Sequence, residues 1–225
     1  MPLVRLSLAV AMGIAVLAAA IAPTQAADWK LVDTRDGVEV FKSEVAGSGV
    51  VAMKGVGAVD APVWKVASIL LDTARAPEWV DSLKDSHVVR RLGGDSYVEY
   101  NRITMPLIIN DREFVSQVHI DVDARAGRFA LVYRPTSNAP PPLPHTVRGE
   151  ILSGRFEAVR NGRGETLLTA EVQCDPKGAL PTWIVNLFQR NWPVTTFNGL
   201  RRQAAKPDIT MPKVFADVLE PTKAF

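Results

Sequence analysis

The residue types that most often bind metals or perform catalysis are few in this chain and lie far apart. His87, His119 and His145 are the three histidines, and Cys174 is the only cysteine; no spacing typical of a metal site or a catalytic group connects them. The chain also lacks a G-x-S-x-G motif, a phosphate-binding glycine loop and a dinucleotide-binding fingerprint. The sequence therefore predicts no metal, no cofactor and no catalytic residue, and favours a protein that is not an enzyme.

One carboxylate stands out because of its position in a predicted strand. Alternation along this strand places five side chains on one side: Tyr97, Glu99, Asn101, Ile103 and Met105. A buried carboxylate without a partner costs several kcal/mol, so Glu99 must be solvated, paired or part of the lining of a wet cavity. The pattern alone leaves a solvated edge position and a cavity position equally open.

The strand of Glu99 belongs to a series of nine predicted strands separated by turn residues. Asp36-Gly37 joins the first two and is a strong hairpin signal. Helices over residues 62–71 and 73–80 interrupt the series after the third strand, in which Gly55 and Gly57 share one face and favour a bend. The pattern predicts a curved antiparallel sheet.

The sixth predicted strand, residues 112–123, has two different faces. Apolar side chains occupy one face, namely Phe114, Val118, Ile120 and Val122. The opposite face, which the pattern predicts to be wet, carries Glu113, Gln117, His119, Asp121 and Asp123. A sheet of this kind needs a cover on its apolar face.

Residues 181–204 form the one predicted helix long enough to provide that cover. Its apolar side chains fall on two adjacent flanks, with Trp183, Leu187, Val194 and Phe197 on one and Ile184, Phe188 and Trp192 on the next. A sheet covers one flank, and the other faces a cavity, a membrane or another protein, unless the whole helix is core. Pro193 lies inside the helix and predicts a kink. The predicted fold class is α+β of the helix-grip type, a curved nine-stranded antiparallel sheet wrapped around a long C-terminal helix.

Three sequence runs resemble those of START domains, the lipid-transfer domains related to steroidogenic acute regulatory protein. Residues 175–181 followed by Ile184-Val185-Asn186 resemble the D-x-K-G-x-[LI]-P-x-x-[IV]-[IV]-N run that opens the last helix of that family. Residues 110–115 resemble its x-x-R-D-F-V strand entry, with Glu113 in place of Asp, and residues 29–40 resemble its first hairpin. The resemblance covers residues 28 to about 205, and it implies the same fold and a lipid ligand.

The resemblance also implies which side chains meet the lipid. Steroidogenic members carry a cavity acid thirteen positions before the motif arginine, as Glu99 stands before Arg112, but Val118 replaces their cavity arginine. Arg112 itself is expected to tie a loop. The predicted lipid-binding residues are Glu99, Tyr97, Asn101, Ile103, Met105, Val118, Ile184, Phe188 and Trp192.

The predicted gate combines an apolar loop with the helix. Leu107, Ile108 and Ile109 follow one another at a loop tip, which packs on the terminal helix as a lid or touches a membrane. Pro193 is the predicted hinge.

Residues 1–26 have the pattern of a signal peptide, with an uncleaved anchor as the alternative. Residues 27–205 are the predicted lipid-binding domain and residues 206–225 a C-terminal tail. The chain is expected to be exported, to the periplasm or to the outside of the cell, as a monomer that contacts membranes transiently. Its 26 basic and 24 acidic side chains are almost balanced, which disfavours nucleic acid as a partner.

Three functions are compatible with these features. The chain carries one lipid, a sterol, phospholipid or similar molecule, through water without chemistry. Alternatively it is a cyclase or aromatase of the same superfamily acting on polyketides. The third hypothesis is a lipid-responsive module that docks on a partner through its tail or through the proline-rich residues 135–144.

Overall fold

The computed structural model describes residues 28–44, 50–106, 109–180 and 182–211; within the last helix it describes the side chains of Val185 and of residues 189–204. The elements in chain order are β1 (Lys30–Arg35), β2 (Val38–Glu44), β3 (Val51–Val59), α1 (Val63–Leu71), a 3₁₀ helix (Thr73–Glu78), β4 (Leu83–Gly93), β5 (Ser96–Ile103), β6 (Asp111–Asp123), β7 (Arg128–Pro135), β8 (Thr146–Arg148), β9 (Glu150–Arg160), β10 (Thr166–Asp175) and α2 (Thr182–Ala204). No helix in this part of the chain is long and apolar enough to cross a membrane.

Nine strands form one antiparallel sheet in the order β1-β2-β3-β10-β9-β7-β6-β5-β4, and β1 and β4 are its open edges. This confirms the predicted fold class. The tenth strand, β8, is short and pairs in parallel with β6. The sequence predicted one strand over residues 147–160, but the chain leaves the β8 line at Gly149, where a side chain would collide with the ring of Phe114.

Helix α2 packs on one side of the sheet, which we call the inner face. Phe129, Leu131, Leu168, Phe197 and Leu200 are fully buried between them. The C-terminal half of α2 is also fixed by polar contacts, because Arg201 donates from Nη1 to the Asp36 carbonyl at 2.6 Å and from Nη2 to the Ala58 carbonyl at 2.8 Å.

The glycines of β3 allow α2 to approach this strand closely. A Cβ atom at Gly55 would lie 2.9 Å from Cβ of Pro193, and one at Gly57 would lie 3.1 Å from the ring of Phe197. The sequence predicted these glycines as a bend in the strand; the contacts show that they also make room for the helix.

The wet outer face predicted for β6 is wrong for its first half. Glu113 is 0% exposed there, although it lies on the polar side of the alternation. The carboxylate accepts hydrogen bonds from Tyr100 Oη at 3.0 Å, from the Leu143 N–H at 3.3 Å and from Arg148 Nε at 3.0 Å. The proline-rich connection between β7 and β8 is thus a loop of the same domain that covers this part of the outer face, with Ala139 packed against it.

Candidate functional site

A strip of polar side chains crosses the inner face on β4, β5 and β6. Glu99 stands opposite Ser116, and Asn101 stands opposite Ser86, so these residues share the inner face with Tyr97. Glu99 is 5% exposed, which excludes the solvated edge position. We call Ser86, Tyr97, Glu99, Asn101 and Ser116 the polar strip.

The polar strip is only partly satisfied by hydrogen bonds. Asn101 Nδ2 donates to Glu99 Oε1 at 2.6 Å. Within the described residues, four buried atoms of the strip have no hydrogen-bond partner, namely Ser86 Oγ, Tyr97 Oη, Glu99 Oε2 and Ser116 Oγ. Each such atom costs about 1–3 kcal/mol when it is left unpaired. Such a cluster is typical of a site that a ligand completes.

Burial also changes the acidity of these groups. Loss of solvation raises the pKa of Glu99 to about 7, although the hydrogen bond from Asn101 and the nearby hydroxyl group of Tyr97 act in the opposite direction. Burial, and then the charge of Glu99, raise the pKa of Tyr97, and the same two causes raise the pKa of Tyr133. Glu99 is therefore a poorly solvated carboxyl group that changes charge near neutral pH.

A row of aromatic rings leads from the polar strip to α2. Tyr133 stands opposite Val118 on the inner face. Its ring lies 6.1 Å from that of Phe156, and the Phe156 ring lies 6.3 Å from that of Trp192 on α2, both in edge-to-face geometry. These rings provide an apolar wall between the sheet and the helix.

The inner face is filled at one end and accessible at the other. Around Phe129 and Phe197 the packing is complete, since both side chains are 0% exposed. Ile103, Phe156 and Trp192 also belong to the inner side, yet they are only half-buried. The accessible apolar side chains of the inner face therefore lie at the end of the polar strip and the aromatic row.

Arg112 has the structural role predicted for it. Its guanidinium donates to three backbone carbonyls, at 2.6 Å to Asn110, 3.2 Å to Pro176 and 3.2 Å to Lys177. The side chain is buried, and burial lowers its pKa. Arg112 thereby joins the loop before β6 to the connection that leads into α2, and these three nitrogens are committed to the backbone.

The predicted gate is described only in part. Met105 is buried and its N–H donates to Asp111 Oδ1 at 3.3 Å; Ile109 is half-buried. Leu107 and Ile108 lie outside the described residues, as do the side chains of Ile184 and Phe188 and the whole of residues 1–27 and 212–225.

Helix α2 continues without interruption through Pro193, which is buried against Gly55. A bend at that position stays a prediction.

The structure brings together most of the predicted lipid-binding residues that it describes. Tyr97, Glu99, Asn101 and Ile103 share the inner face with Val118, whose side chain is completely buried. Sequence reasoning missed Ser86, Ser116, Tyr133 and Phe156. Ser116 lies on the apolar side of the β6 alternation, between Phe114 and Val118, and this pattern was the one signal that could have identified it.

Comparisons with known proteins agree with this architecture. An uncharacterized protein of Pseudomonas aeruginosa is 30% identical over 185 residues, which are 80% of this chain and 89% of the relative. Among solved structures, human StAR-related lipid transfer protein 5 superposes with a TM-score of 0.73 at 18% identity, over 80% of this chain and 88% of that chain. A STAR-related lipid transfer protein fragment from Xanthomonas axonopodis gives a TM-score of 0.69 at 19% identity, over 79% and 99% of the two chains. Because the START domain model matches residues 19–205, most of the sequence, this chain belongs to the START domain family.

Proposed function

We propose that this protein encloses one apolar molecule between the inner face of its sheet and helix α2 and carries it through an aqueous compartment without altering it. The observation that supports this most directly is the uneven inner face. Phe129 and Phe197 fill one end, whereas the half-buried rings of Phe156 and Trp192 border the other. Removal of apolar ligand surface from water would supply about 25 cal/mol per Å².

Polar and apolar parts of the inner face would fix the orientation of the ligand. The aromatic row of Tyr133, Phe156 and Trp192 would contact its apolar body, and Glu99 would receive its polar end. Family membership supports a lipid as the ligand class.

Exchange of the ligand requires a movement, and the connection through Arg112 indicates where. The loop before β6 and the segment before α2 share this one guanidinium, so they would open together. The apolar sequence run Leu107-Ile108-Ile109 would contact a membrane transiently during exchange. Export through the signal-like residues 1–26 would place the carrier in the periplasm.

Titration with the neutral dye Nile red and with a fluorescent sterol tests the proposal. Binding should saturate near one molecule per chain, and the protein should accelerate sterol transfer between vesicles. If neither probe bound, the carrier function would be excluded.

A proton-transfer enzyme is the second candidate function. It is supported by Glu99, whose pKa burial raises to about 7, a value at which a carboxyl group exchanges protons efficiently at neutral pH. Mass spectrometry of a bound polyketide-type precursor before and after incubation separates the two candidates. An unchanged mass favours the carrier, whereas loss of water on ring closure favours the enzyme.

A further inference from the structure

We infer that the polar end of the bound molecule is an uncharged hydroxyl group, and that Tyr97 and Ser116 select for it together with Glu99. This inference rests on the proposed carrier function and narrows its ligand class. Phospholipids, fatty acid anions and other molecules with an anionic end would be disfavoured.

The unpaired atoms of the polar strip define what the ligand must offer. Glu99 Oε2 is an acceptor when the carboxyl group is ionised, whereas the hydroxyl groups of Tyr97 and Ser116 both donate and accept. A ligand hydroxyl can donate to Glu99 and accept from Tyr97 or Ser116 at the same time. A carboxylate or phosphate can accept from Tyr97 or Ser116 but cannot donate, so above pH 7, where Glu99 is ionised, it would leave Glu99 unpaired and repel it.

In the part of the chain that the structure describes, the strand register also places no cation opposite Glu99 to hold an anionic end. Val118, opposite Tyr97, presents only methyl groups. Arg112 uses its three nitrogens on the carbonyls of Asn110, Pro176 and Lys177. In the described part of the chain, the pKa of Glu99 is set by its burial and by the side chains of Asn101 and Tyr97. Neither of these side chains is a cation.

Among the described residues, Arg91 is the cation that comes nearest to the polar strip in the strand register. It stands opposite Tyr97 on β4, the open edge of the sheet, and its side chain is exposed. Its charge lowers the pKa of Tyr97 but does not act on that of Glu99, and its exposed position lets water and salt screen it. From β4 the residue opposite Glu99 is Val88, and from β6 it is Ser116, so neither neighbouring strand presents a charge to the carboxyl group.

Displacement of Nile red by matched pairs of ligands tests the inference. Cholesterol carries a hydroxyl group where cholesteryl sulfate carries an anionic sulfate. Hexadecanol likewise ends in a hydroxyl group, whereas hexadecanoate at pH 8 ends in an anionic carboxylate. The alcohol of each pair should displace the dye at a concentration at least about tenfold lower than the anion. Ser116→Ala should weaken binding of the alcohols about fivefold and lower the ratio of alcohol to anion affinity, because repulsion by the ionised Glu99 already keeps the anions away from Ser116 in the wild type.

Ser43→Ala is the matched control. Ser43 is also a buried serine whose Oγ has no partner within the described residues, but it lies on the outer face, in register with Ala52 next to the Phe41–Lys54 pair. The ratio of alcohol to anion affinity should stay at the wild-type value in this variant. A Glu99→Gln variant should also lose selectivity.

Each result has one meaning. Equal affinities, tighter binding of the anions, or a ratio unaffected by Ser116→Ala would overturn the hydroxyl inference while the carrier function stands. Failure of Nile red itself to bind would remove the carrier function, and with it this inference.

Discussion

Replacement of Glu99 by Gln should stabilise the protein, and the gain should depend on pH. The pKa of Glu99 is raised by burial from 4.5 to about 7, so the folded state holds a proton that the unfolded chain releases. Below pH 4.5 the group is protonated in both states and has no effect. Between pH 4.5 and 7 the free energy of unfolding falls by about 1.4 kcal/mol per pH unit. The total loss above pH 7 is about 3 kcal/mol.

The amide introduced by Glu99→Gln would carry no charge, so this loss would disappear. The free energy of unfolding of the variant, measured by urea denaturation from pH 4.5 to 8.5, should equal that of the wild type at pH 4.5 and exceed it by up to about 3 kcal/mol at pH 8. Parallel curves across this range would refute the assignment of a desolvated, unpaired carboxyl group at Glu99.

Glu113→Gln is the control, and it should lower the free energy of unfolding where Glu99→Gln raises it. Glu113 is the other fully enclosed carboxylate of these strands, but Arg148 Nη2 lies 2.9 Å from its Oε1. Its replacement leaves a guanidinium without its partner and should destabilise the protein by about 3 kcal/mol at pH 8.

Three further substitutions and one control substitution test the packing of α2 and its connections. Gly199→Ala should destabilise by about 3 kcal/mol in urea denaturation, since its Cβ would collide with the Trp79 carbonyl oxygen, whereas Gly162→Ala, with open space around it, should be neutral within about 0.5 kcal/mol. Arg112→Lys should destabilise by about 2 kcal/mol and speed proteolysis of the loop before β6, because an ammonium cannot reach three carbonyls; unchanged proteolysis would argue against coupling of the loop to α2. Pro193→Ala should stabilise α2 by up to about 3 kcal/mol, reduced by the packing that Pro193 loses against Gly55. It should also slow sterol transfer between vesicles at nearly unchanged affinity. Transfer at the wild-type rate would place the hinge elsewhere.

The features that could be predicted from the sequence are those set by local chemistry. Asp36 and Gly37 both adopt positive φ, 54° and 69°, as the tight hairpin turn predicted for this pair requires. The apolar side of β6 was predicted correctly because alternation depends on the strand itself. Residues 73–80 were predicted as a second short helix, and they form a 3₁₀ helix that ends at Glu78.

Features that depend on distant segments could not be predicted in this way. Glu113 appeared wet because its cover comes from Leu143 and Arg148, which lie 30 and 35 positions further along the chain. The importance of Ser116 depends on its register with Glu99, and neither strand alone specifies that register. Gly55 could be recognised as unusual from the sequence. The reason for a glycine there is Pro193, which lies on α2 and leaves no room for a side chain at position 55.

The contrast between Glu99 and Glu113 bears on why the polar strip exists. Both carboxylates are buried on neighbouring strands, on opposite faces of one sheet. At Glu113 the chain supplies Tyr100, Arg148 and a backbone N–H, so the charge is enclosed and compensated. At Glu99 it supplies one amide, from Asn101, and leaves Oε2 unpaired within the described residues. A fold that satisfies one buried carboxylate so fully has the means to satisfy or replace the other, and an apolar residue or Gln at position 99 would remove the cost above pH 7. The unpaired oxygen is therefore best explained as a group kept for a ligand, at the expense of stability.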